Sequence, residues 1–523
     1  MPHSDDAVKT EYQQKTKDDL LAGLNPEQQA AVTHDAGPLL IVAGAGTGKT
    51  TAITKRIAWL ITNGLAKSEE ILALTFTEKA AGEMVERVDT LLPMGYVDLW
   101  VSTFHSFCQR LLEAHALDIG LPGDARLLNQ TDAYLLVRKH FERFELDYYR
   151  PLGNPNKFIH SLLAHFSRAK DEAVTPKEYL ELAKETALDK DNSAHDAEDA
   201  SRLEEIANAY HTYQQMMLDE GCMDFGDLLI NTIMLFRTRP AILRRYQQQF
   251  KYVIVDEFQD TNWAQYELLK MLVPKDGNIV VVGDDDQAIY KFRGASVANI
   301  LQFKDDYPDA KEAVLTKNYR SKQNILDASY EFIKQNDPNR LETKLADKRK
   351  PGEPAIVKRL TAEREGNATI EHLHYASLDD EVSGVIDRIV AIRNERPECA
   401  WSDFAILVRS NSAADEFSNE LQRRGIPYQF LALKGLYGKP IVLDILAYFR
   451  LLDDYHESAA LYRVLSSPAY HITGTDLITL NHEARRKTES LFETLLRHSA
   501  LTTLAPDTHA TIERLVGDIA RHT

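Results

Sequence analysis

The sequence predicts an α/β fold, built from parallel sheets flanked by helices and carrying large α-helical insertions. Short apolar runs with strand character alternate with helical patterns, as at segments 39–43, 71–76 and 99–104. A glycine-rich turn directly follows the first of these runs. Long amphipathic patterns occupy residues 111–219 and again the residues after 439, so helical insertions are expected there.

Composition and charge narrow the possible functions. The 523 residues are enough for several domains, and 61 basic against 79 acidic residues give a net charge of −18. This charge excludes a general attraction to polyanions, so any nucleic-acid contact must be local. The three cysteines lie far apart, which argues against a metal cluster and favours a reducing, cytoplasmic location. No run reaches the length of a membrane span, so no membrane partner is expected, and residues 1–22 read as a mobile tail.

The glycine-rich turn has the pattern of a phosphate-binding loop, since residues 38–50 read PLLIVAGAGTGKT. Glycines allow the backbone to turn its N–H groups toward phosphate oxygens at the start of a helix. Lys49 would reach the β- and γ-phosphates, and the Thr50 hydroxyl would take one position on Mg²⁺. We therefore expect ATP and Mg²⁺ as cofactors. The residues predicted to bind the phosphates are Ala45, Gly46, Thr47, Gly48, Lys49, Thr50 and Thr51.

A short helix is predicted just before this loop, where Asn25 and Pro26 suit a helix start. The amide of Gln28 can both donate and accept hydrogen bonds, so it is a candidate for reading the adenine edge. The alternative is that residues 24–32 form an ordinary helix start.

Polar and aromatic residues end the two strands that follow the loop. Ligands bind at the carboxyl ends of parallel strands, which is where Phe76, Thr103 and His105 fall. An aromatic ring there can stack on a base while hydroxyl groups hold phosphates. Burial of Phe76 and Phe104 under the following helices is the alternative, and the pattern alone slightly favours it.

A buried strand at residues 252–255 leads directly into two acids, Asp256 and Glu257. A carboxylate at this position can hold Mg²⁺, and the next can orient and deprotonate a water molecule. We assign the metal role to Asp256 and the base role to Glu257. After a phosphate loop, this pair predicts nucleotide hydrolysis.

The next strand, at residues 278–283, leads into a segment of mixed polar and aromatic residues. Gln287 is placed to sense the γ-phosphate from the strand end. Beyond it, Tyr290, Phe292 and Arg293 alternate aromatic and basic groups, which can hold a stack of bases. The segment after this strand would thus couple nucleotide hydrolysis to binding of a nucleic acid.

A second α/β unit is predicted to begin near residue 313. Tyr319 is expected to stack on the adenine, and Arg320 to place its guanidinium on the γ-phosphate as an arginine finger does. Further strands of this unit are predicted at residues 355–360, 371–376, 404–408 and 428–431.

Taken together, these segments resemble the superfamily 1 DNA helicases of the UvrD, Rep and PcrA type. The resemblance spans most of the chain and covers the glutamine motif at 24–32, Walker A at 43–50, motif Ia at 74–88, motif Ib at 103–106, motif II at 256–261, motif III at 282–295 and motif IV at 315–321. It implies two RecA-like motor domains with ATP between them and 3′-to-5′ movement along single-stranded DNA. The DNA track that it implies comprises Phe76, Thr103, His105, Tyr290, Phe292 and Arg293.

The resemblance also implies a domain plan, with a second motor domain that is incomplete. The expected parts are a first motor domain at 23–110 and 220–312, its helical insertion at 111–219, the second motor domain at 313–438 and the start of its insertion at 439–523. The expected function is that of an ATP-dependent DNA helicase acting on single-stranded DNA and on single/double-strand junctions. Repair or replication proteins are the expected partners.

The chain departs from the family pattern after Tyr470, where no final DNA-contact segment or second arginine motif is recognised. The simplest expectation is that the chain is the N-terminal part of a longer helicase; a separate C-terminal polypeptide or a naturally shortened protein is the alternative. Two other functions stay open. One is a module that binds nucleotide and single-stranded DNA without productive stepping, and the other is the motor part of a helicase-nuclease such as AddA or RecB.

Overall fold

The computed structural model describes residues 17–92, 99–188, 194–290, 298–348, 356–430, 440–487 and 489–522. The chain divides into two units, one ending at Ile370 and the other beginning at Glu371. None of the helices in these described ranges combines the length and the apolar character that a bilayer-spanning segment needs.

The first unit contains all the strands of the described residues, in three parallel sheets. They are β1 Leu39–Ala43, β2 Ile71–Thr75, β3 Trp100–Thr103, β4 Arg126–Leu127, β5 Cys222–Met223, β6 Tyr252–Val255, β7 Asn278–Gly283, β8 Lys311–Leu315, β9 Lys317–Lys322 and β10 Thr361–Arg364. The main sheet has six strands in the order β3-β2-β6-β7-β1-β8. Two-stranded sheets pair β4 with β5 and β9 with β10.

Helices cover both faces of the main sheet. Those of the first unit are α1 Pro26–Thr33, α2 Lys49–Thr62, α3 Glu78–Leu91, α4 Phe104–His115, α5 Gln130–Lys139, α6 Ile159–Asp171, α7 Pro176–Leu188, α8 Ala194–Asp219, α9 Phe225–Thr238, α10 Pro240–Gln249, α11 Trp263–Leu272, α12 Ala298–Asp306, α13 Gln323–Ile333 and α14 Leu341–Lys348. Along β1, Leu40 and Val42 pack into one apolar core while Leu39 and Ile41 pack into another. Burial on both faces explains why the strands read as continuous apolar runs.

The order of the strands brings distant segments of sequence together. Both β6 and β7 lie between β2 and β1, and in the register Leu40 of β1 is opposite Val281 of β7. The carboxyl ends of β1, β7 and β6 therefore meet at one edge of the sheet, where α/β folds bind their ligands.

A helical subdomain with its own core is inserted between β3 and β6. The core runs from Leu128 to Cys222, and the Phe166 ring stacks between those of Tyr210 and Tyr213. Strands β4 and β5 pair with each other at the two ends of the segment that forms this subdomain. The sequence places the insertion from residue 111, but the apolar face of α4, up to Leu112, packs in the main core instead. Amphipathic periodicity shows that a helix has an apolar face and does not say which core will cover that face.

The described residues of the second unit form helices and loops and contain no strand. Its helices are α15 Leu378–Glu395, α16 Asn411–Arg423, α17 Pro440–Asp453, α18 Ser458–Ser466, α19 Gly474–Lys487, α20 Leu491–Leu496 and α21 Pro506–His522. Helices α17 to α21 share one apolar core, which includes Leu451, Leu461, Leu480 and Leu515. A smaller cluster joins Val382 and Ile386 of α15 to Phe417 of α16.

The predicted strands of the second α/β unit are mostly wrong within the described residues. Segments 371–376, 404–408 and 428–430 are neither helix nor strand, and the strand expected at 355–360 lies instead at Thr361–Arg364. A strand requires a hydrogen-bonded neighbour as well as an apolar sequence. Leu407 illustrates the difference, because it is 94% exposed.

Candidate active site

The phosphate-loop sequence forms the turn between β1 and α2, and two of its glycines cannot be replaced without strain. Gly46 has φ +77° and Gly48 has φ +85°, values that favour glycine. A Cβ atom on Gly46 would lie 2.6 Å from Cβ of Arg320, and one on Gly48 would lie 2.7 Å from Nε2 of Gln28. Both the conformation and the close approach of neighbouring elements therefore require glycine here.

Lys49, the first residue of α2, is 9% exposed and points to the adjacent strand ends. Its Nζ atom donates to Glu257 Oε2 at 2.8 Å and to Gln287 Oε1 at 3.3 Å. The Gln287 amide is itself held, since its Nε2 donates to Asp284 Oδ2 at 2.7 Å. The structure thus brings together Lys49, Glu257 and Gln287, which the sequence predicts to act on one phosphate group.

Asp256 ends β6 and is 7% exposed. Burial, together with the negative charge of Glu257, raises the pKa of its carboxyl to about 6. The N–H of Glu257 donates to Asp256 Oδ1 at 3.0 Å. Oxygen ligands such as this carboxylate and the Thr50 hydroxyl are those that Mg²⁺ prefers, and a cation would relieve the cost of keeping Asp256 charged. The donor chemistry of the site therefore fits Mg²⁺.

Strand β9 packs directly on the phosphate loop. The Tyr319 N–H donates to Gly46 O at 2.9 Å, and Asn318 Nδ2 donates to Ala45 O at 2.6 Å. The Tyr319 hydroxyl accepts from Asn25 Nδ2 at 3.1 Å. These bonds hold Tyr319 and Arg320 beside the loop. Sequence reasoning missed Asn318, although it lies within the motif IV segment at 315–321, next to Tyr319.

Gln28 is buried beneath the loop, and both ends of its amide are bonded to the protein. Its Oε1 accepts from the Asn25 N–H at 3.1 Å, which completes the cap of α1, and its Nε2 donates to Thr47 O at 2.9 Å. Each end keeps further capacity, because an amide oxygen accepts twice and an amide nitrogen donates twice. Gln28 thus positions the loop in addition to lining the cavity described next.

A cavity of about 700 Å³ lies over the loop. Its lining is strongly basic, with Glu257 as the acid. The basic residues of the lining are Lys49, Lys55, Arg87, Arg320 and Arg364. The remaining predicted nucleotide residues of the lining are Gln28, Ala45, Gly46, Gly48, Thr50, Thr51, Gln287 and Tyr319. An excess of cations suits a polyphosphate. Sequence reasoning missed three of these residues: Lys55 and Arg364 belong to no motif, and Arg87 lies in the segment 74–88 but was not assigned to the nucleotide site.

A second cavity, of about 600 Å³, lies at the carboxyl ends of β2 and β3 and includes Phe76, Thr103 and His105 in its lining. The two aromatic residues for which the sequence allowed burial or exposure differ in burial. Phe104 is 4% exposed and belongs to the core, whereas Phe76 is only partly buried. The rings of Phe76 and Tyr290 are 5.0 Å apart. Phe292 and Arg293 lie outside the described residues.

The other two residues of this cavity are already engaged within the protein. The Thr103 hydroxyl donates to Glu78 Oε1 at 2.7 Å and accepts from the Ser106 N–H, which caps α4. The His105 ring packs edge-on against Phe225, with the centroids 5.8 Å apart. Burial lowers the pKa of His105, so the ring is neutral near pH 7 and offers no cation to a phosphate.

Three consecutive acids after β7 lie close together and are neutralised by two buried cations. Lys358 Nζ lies 2.6 Å from Asp284 Oδ1 and 2.7 Å from Asp286 Oδ2, and it also contacts Asp285. Arg340 binds Asp286 through two hydrogen bonds, of 2.9 and 2.8 Å. Burial alone would lower the pKa of Lys358, but the three carboxylates raise it above its usual value. This cluster is therefore an ion-pair network that holds the loop between β7 and Tyr290.

Comparison with protein families gives two adjoining matches. Residues 24–308 match the UvrD/REP helicase N-terminal domain, and residues 313–503 match the UvrD-like helicase C-terminal domain. The first match alone covers more than half of the chain. The boundary between the two matches falls between α12 and β8.

Curated relatives with sequence similarity carry helicase names. The chain is 36% identical over 470 residues to the ATP-dependent DNA helicase PcrA of Leuconostoc citreum, covering 89% of this chain and 57% of the relative. It is 36% identical over 459 residues to PcrA of Bacillus subtilis, covering 88% and 57%. It is 37% identical over 460 residues to the ATP-dependent DNA helicase UvrD1 of Mycobacterium tuberculosis, covering 86% and 55%. The chain thus spans less than two thirds of the length of these relatives.

Proposed function

The chain belongs to the UvrD/REP helicase family, and on this premise we propose that it is an ATP-dependent DNA helicase or translocase. It hydrolyses ATP to move 3′-to-5′ along single-stranded DNA and to unwind duplex from single/double-strand junctions. The observation that carries the proposal is the convergence of Lys49, Glu257 and Gln287 at one edge of the sheet. A cation for phosphates, a base for water and a polar sensor are the groups that phosphoryl transfer to water needs.

In the proposed reaction, Lys49 binds the β- and γ-phosphates, and Glu257 accepts a proton from the attacking water. Gln287 and Arg320 contact the γ-phosphate. Bound Mg²⁺, held by Thr50 and Asp256, would neutralise charge on the phosphate oxygens. The backbone of Ala45, Gly46, Thr47 and Gly48 and the start of α2 at Thr51 supply N–H donors. Gln28 and Tyr319 are the proposed contacts of the adenine base.

The pairing of Lys49 with Glu257 implies that the substrate binds before Glu257 acts on the water. A lysine has three protons to donate, and here it donates to Glu257 and to Gln287. Phosphate oxygens that take Lys49 compete with the Glu257 carboxylate, which then loses its cationic partner. Binding of the substrate would therefore release the Glu257 carboxylate from Lys49 before the water is activated.

The proposed DNA track lies at the carboxyl ends of β2 and β3. The contact of Phe76, which lines this cavity, with Tyr290 supports it, because both rings are partly accessible and can stack on bases. Stacking is worth on the order of 1–3 kcal/mol per base and tolerates any sequence. Tyr290 follows Gln287 by three residues, so one loop reaches from the nucleotide to the DNA. Thr103, His105, Phe292 and Arg293 complete the proposed track.

We also propose a cytoplasmic location and a role in DNA repair, replication or recombination, with proteins of those processes as partners. The free thiols of Cys108, Cys222 and Cys399 support a reducing compartment. The names of the relatives support a DNA substrate and do not separate the three processes.

Steady-state ATP hydrolysis with and without an unstructured single-stranded oligonucleotide tests the motor function. We expect turnover that requires Mg²⁺ and rises at least tenfold with the oligonucleotide. Duplexes with a 3′ or a 5′ single-stranded tail test direction, and we expect unwinding of the 3′-tailed substrate. Binding of nucleotide and oligonucleotide without turnover would overturn the proposal in favour of a non-stepping module.

A further inference from the structure

Gln259 forms a bridge between two strand ends that the proposed reaction uses. It is 1% exposed, and its Nε2 donates to Glu257 Oε2 at 2.8 Å and to Asp260 Oδ2 at 3.4 Å. Its Oε1 accepts from the Asp284 N–H at 3.0 Å. A carboxylate only accepts and a backbone N–H only donates, so these partners fix the orientation of the amide. The side chain therefore ties the end of β6 to the end of β7.

The surroundings leave this amide little freedom. A Cβ atom on Gly283 would lie 2.8 Å from Gln259 Oε1, so the glycine there allows the backbone of β7 to approach the amide closely. Gly283 is the last residue of β7 and directly precedes Asp284, whose N–H donates to the Gln259 amide oxygen. The bridge is thus built from both strands.

The Glu257 carboxylate depends on such contacts for its position. Glu257 has φ +49°, in the left-handed region, where a residue with a side chain is strained. Regular strand or helix geometry therefore does not set the direction of this side chain. Its Oε2 atom accepts from two donors, Lys49 Nζ and Gln259 Nε2, each at 2.8 Å.

These two donors differ in what they can do during the reaction. Lys49 is a cation that lines the nucleotide cavity and is proposed to bind phosphates. Gln259 is neutral and buried, so it can hold the carboxylate without neutralising it and without competing for the substrate. A neutral donor orients a base and leaves most of its affinity for a proton in place.

We propose that Gln259 is a positioning residue for hydrolysis, which holds the Glu257 carboxylate in place while Lys49 binds phosphates. It also fixes the distance between that carboxylate and the loop that carries Gln287. The inference rests on the proposed ATP hydrolysis, and it assigns a role to a residue outside the phosphate, metal and γ-phosphate contacts described above.

The first test is Gln259→Glu, which keeps the shape and the acceptor for the Asp284 N–H but places a second carboxylate against Glu257. A charged carboxylate cannot donate, so Glu257 loses the neutral hydrogen bond that orients it. We expect kcat to fall at least about tenfold. KM for ATP should change less than about threefold, because the phosphate contacts are intact.

A second variant separates position from charge. Gln259→Met has a similar length and no hydrogen bonds to Glu257, so kcat should fall about tenfold or more, again with KM for ATP changed less than about threefold. Gln247→Glu is the matched control, since Gln247 lies on α10, away from the nucleotide cavity, and its amide donates to Met271 O at 2.8 Å. This control should keep the wild-type kcat and KM. Thermal unfolding and binding of a fluorescent ATP analogue report on the fold of each variant.

A loss of kcat in both Gln259 variants, with KM for ATP and binding of the ATP analogue close to the wild-type values, supports the role. If the wild-type chain hydrolyses ATP and the Gln259 variants keep kcat within about twofold of it, the role of Gln259 is overturned and the proposed function is not. Parallel loss of nucleotide binding and turnover in both variants also overturns it, because Gln259 would then only support the fold. A wild-type chain without turnover overturns the proposed function itself.

Discussion

The Nζ atom of Lys49 lies 2.8 Å from Oε2 of Glu257, so the lysine of the phosphate loop is paired with the proposed base across 208 residues of sequence. The ion pair is partly accessible to solvent, because the Glu257 side chain is 36% exposed while that of Lys49 is 10% exposed. Such a pair contributes little to stability, on the order of 1 kcal/mol or less. Its two members can therefore be changed with the fold retained, which makes them suitable for functional tests.

Lys49→Ala should reduce kcat for ATP by a factor on the order of 10²–10³, because the charge that develops on the phosphates loses a preorganised cation. Thermal unfolding should change by only a few degrees. Lys177→Ala removes an exposed lysine that pairs with Glu181 on α7, and it serves as the control with full activity. Near-normal turnover in Lys49→Ala would contradict the assignment of the phosphate loop.

Glu257→Gln should reduce kcat by a factor on the order of 10²–10⁴ and keep the shape of the site. Nucleotide affinity should stay the same or increase, because Lys49 no longer has a carboxylate that competes with phosphates. Single-turnover hydrolysis and equilibrium binding of an ATP analogue measure the two effects. A variant that loses affinity and keeps kcat would show that Glu257 binds nucleotide and does not act as a base.

Binding of Mg²⁺ with nucleotide should weaken as the pH falls through about 6. Burial raises the pKa of Asp256 to about 6, so protons compete with the metal for this carboxylate below that pH and not above it. The same shift means that Asp256 in its charged form destabilises the fold, so its unfavourable contribution grows as the pH rises from about 4 to about 6. The measurement is the Mg²⁺-dependent part of analogue affinity between pH 5 and 8. Asp256→Asn should abolish that pH dependence, and an unchanged profile would contradict the metal role.

Tyr290→Ala should weaken binding of single-stranded DNA by a factor on the order of 5–150, the equivalent of the 1–3 kcal/mol of one base stack. Basal ATP hydrolysis should be nearly unchanged, since the nucleotide contacts are intact, while its stimulation by DNA is lost. Phe76→Ala removes the other ring of the pair and should have the same effect. Equal losses of basal and DNA-stimulated turnover would indicate that the two rings only pack against each other.

Lys358→Met should destabilise the fold by about 3–5 kcal/mol, because three buried carboxylates would lose their shared cation. Urea unfolding of the variant and of the wild-type chain measures the change. Arg359→Met is a neighbouring control, since Arg359 is exposed and pairs with Asp327 on the surface. An equal, small effect in both variants would contradict the role of Lys358 in holding the loop after β7.

The sequence predicts which segments meet at the carboxyl ends of β1, β6 and β7, for a physical reason. Parallel strands buried on both faces are short apolar runs, and the residues that follow them must lie at one edge of the sheet. The phosphate loop, Asp256 with Glu257, and Gln287 could all be assigned on that basis. Contacts made by segments without a motif could not: Lys358 and Arg340 meet the three acids only because distant segments pack there.

The failures of prediction have the same origin. Phe76 and Phe104 each directly follow a strand, yet Phe76 is only partly buried while Phe104 packs in the main core. The apolar residues of segment 404–408 have strand propensity, but pairing is decided by a neighbour that local sequence does not encode. Local patterns establish which residues prefer burial or extension, and tertiary packing decides where each goes.

The order of the main sheet has a consequence for how the protein is made. Strands β1 and β2 are synthesised early, but the two strands that lie between them come from residues after 251, so the sheet cannot close until more than half of the chain has left the ribosome. The inserted helical subdomain, with its own core from Leu128 to Cys222, is complete before that point. We therefore expect it to fold first during translation, while the early strands stay exposed and depend on chaperones.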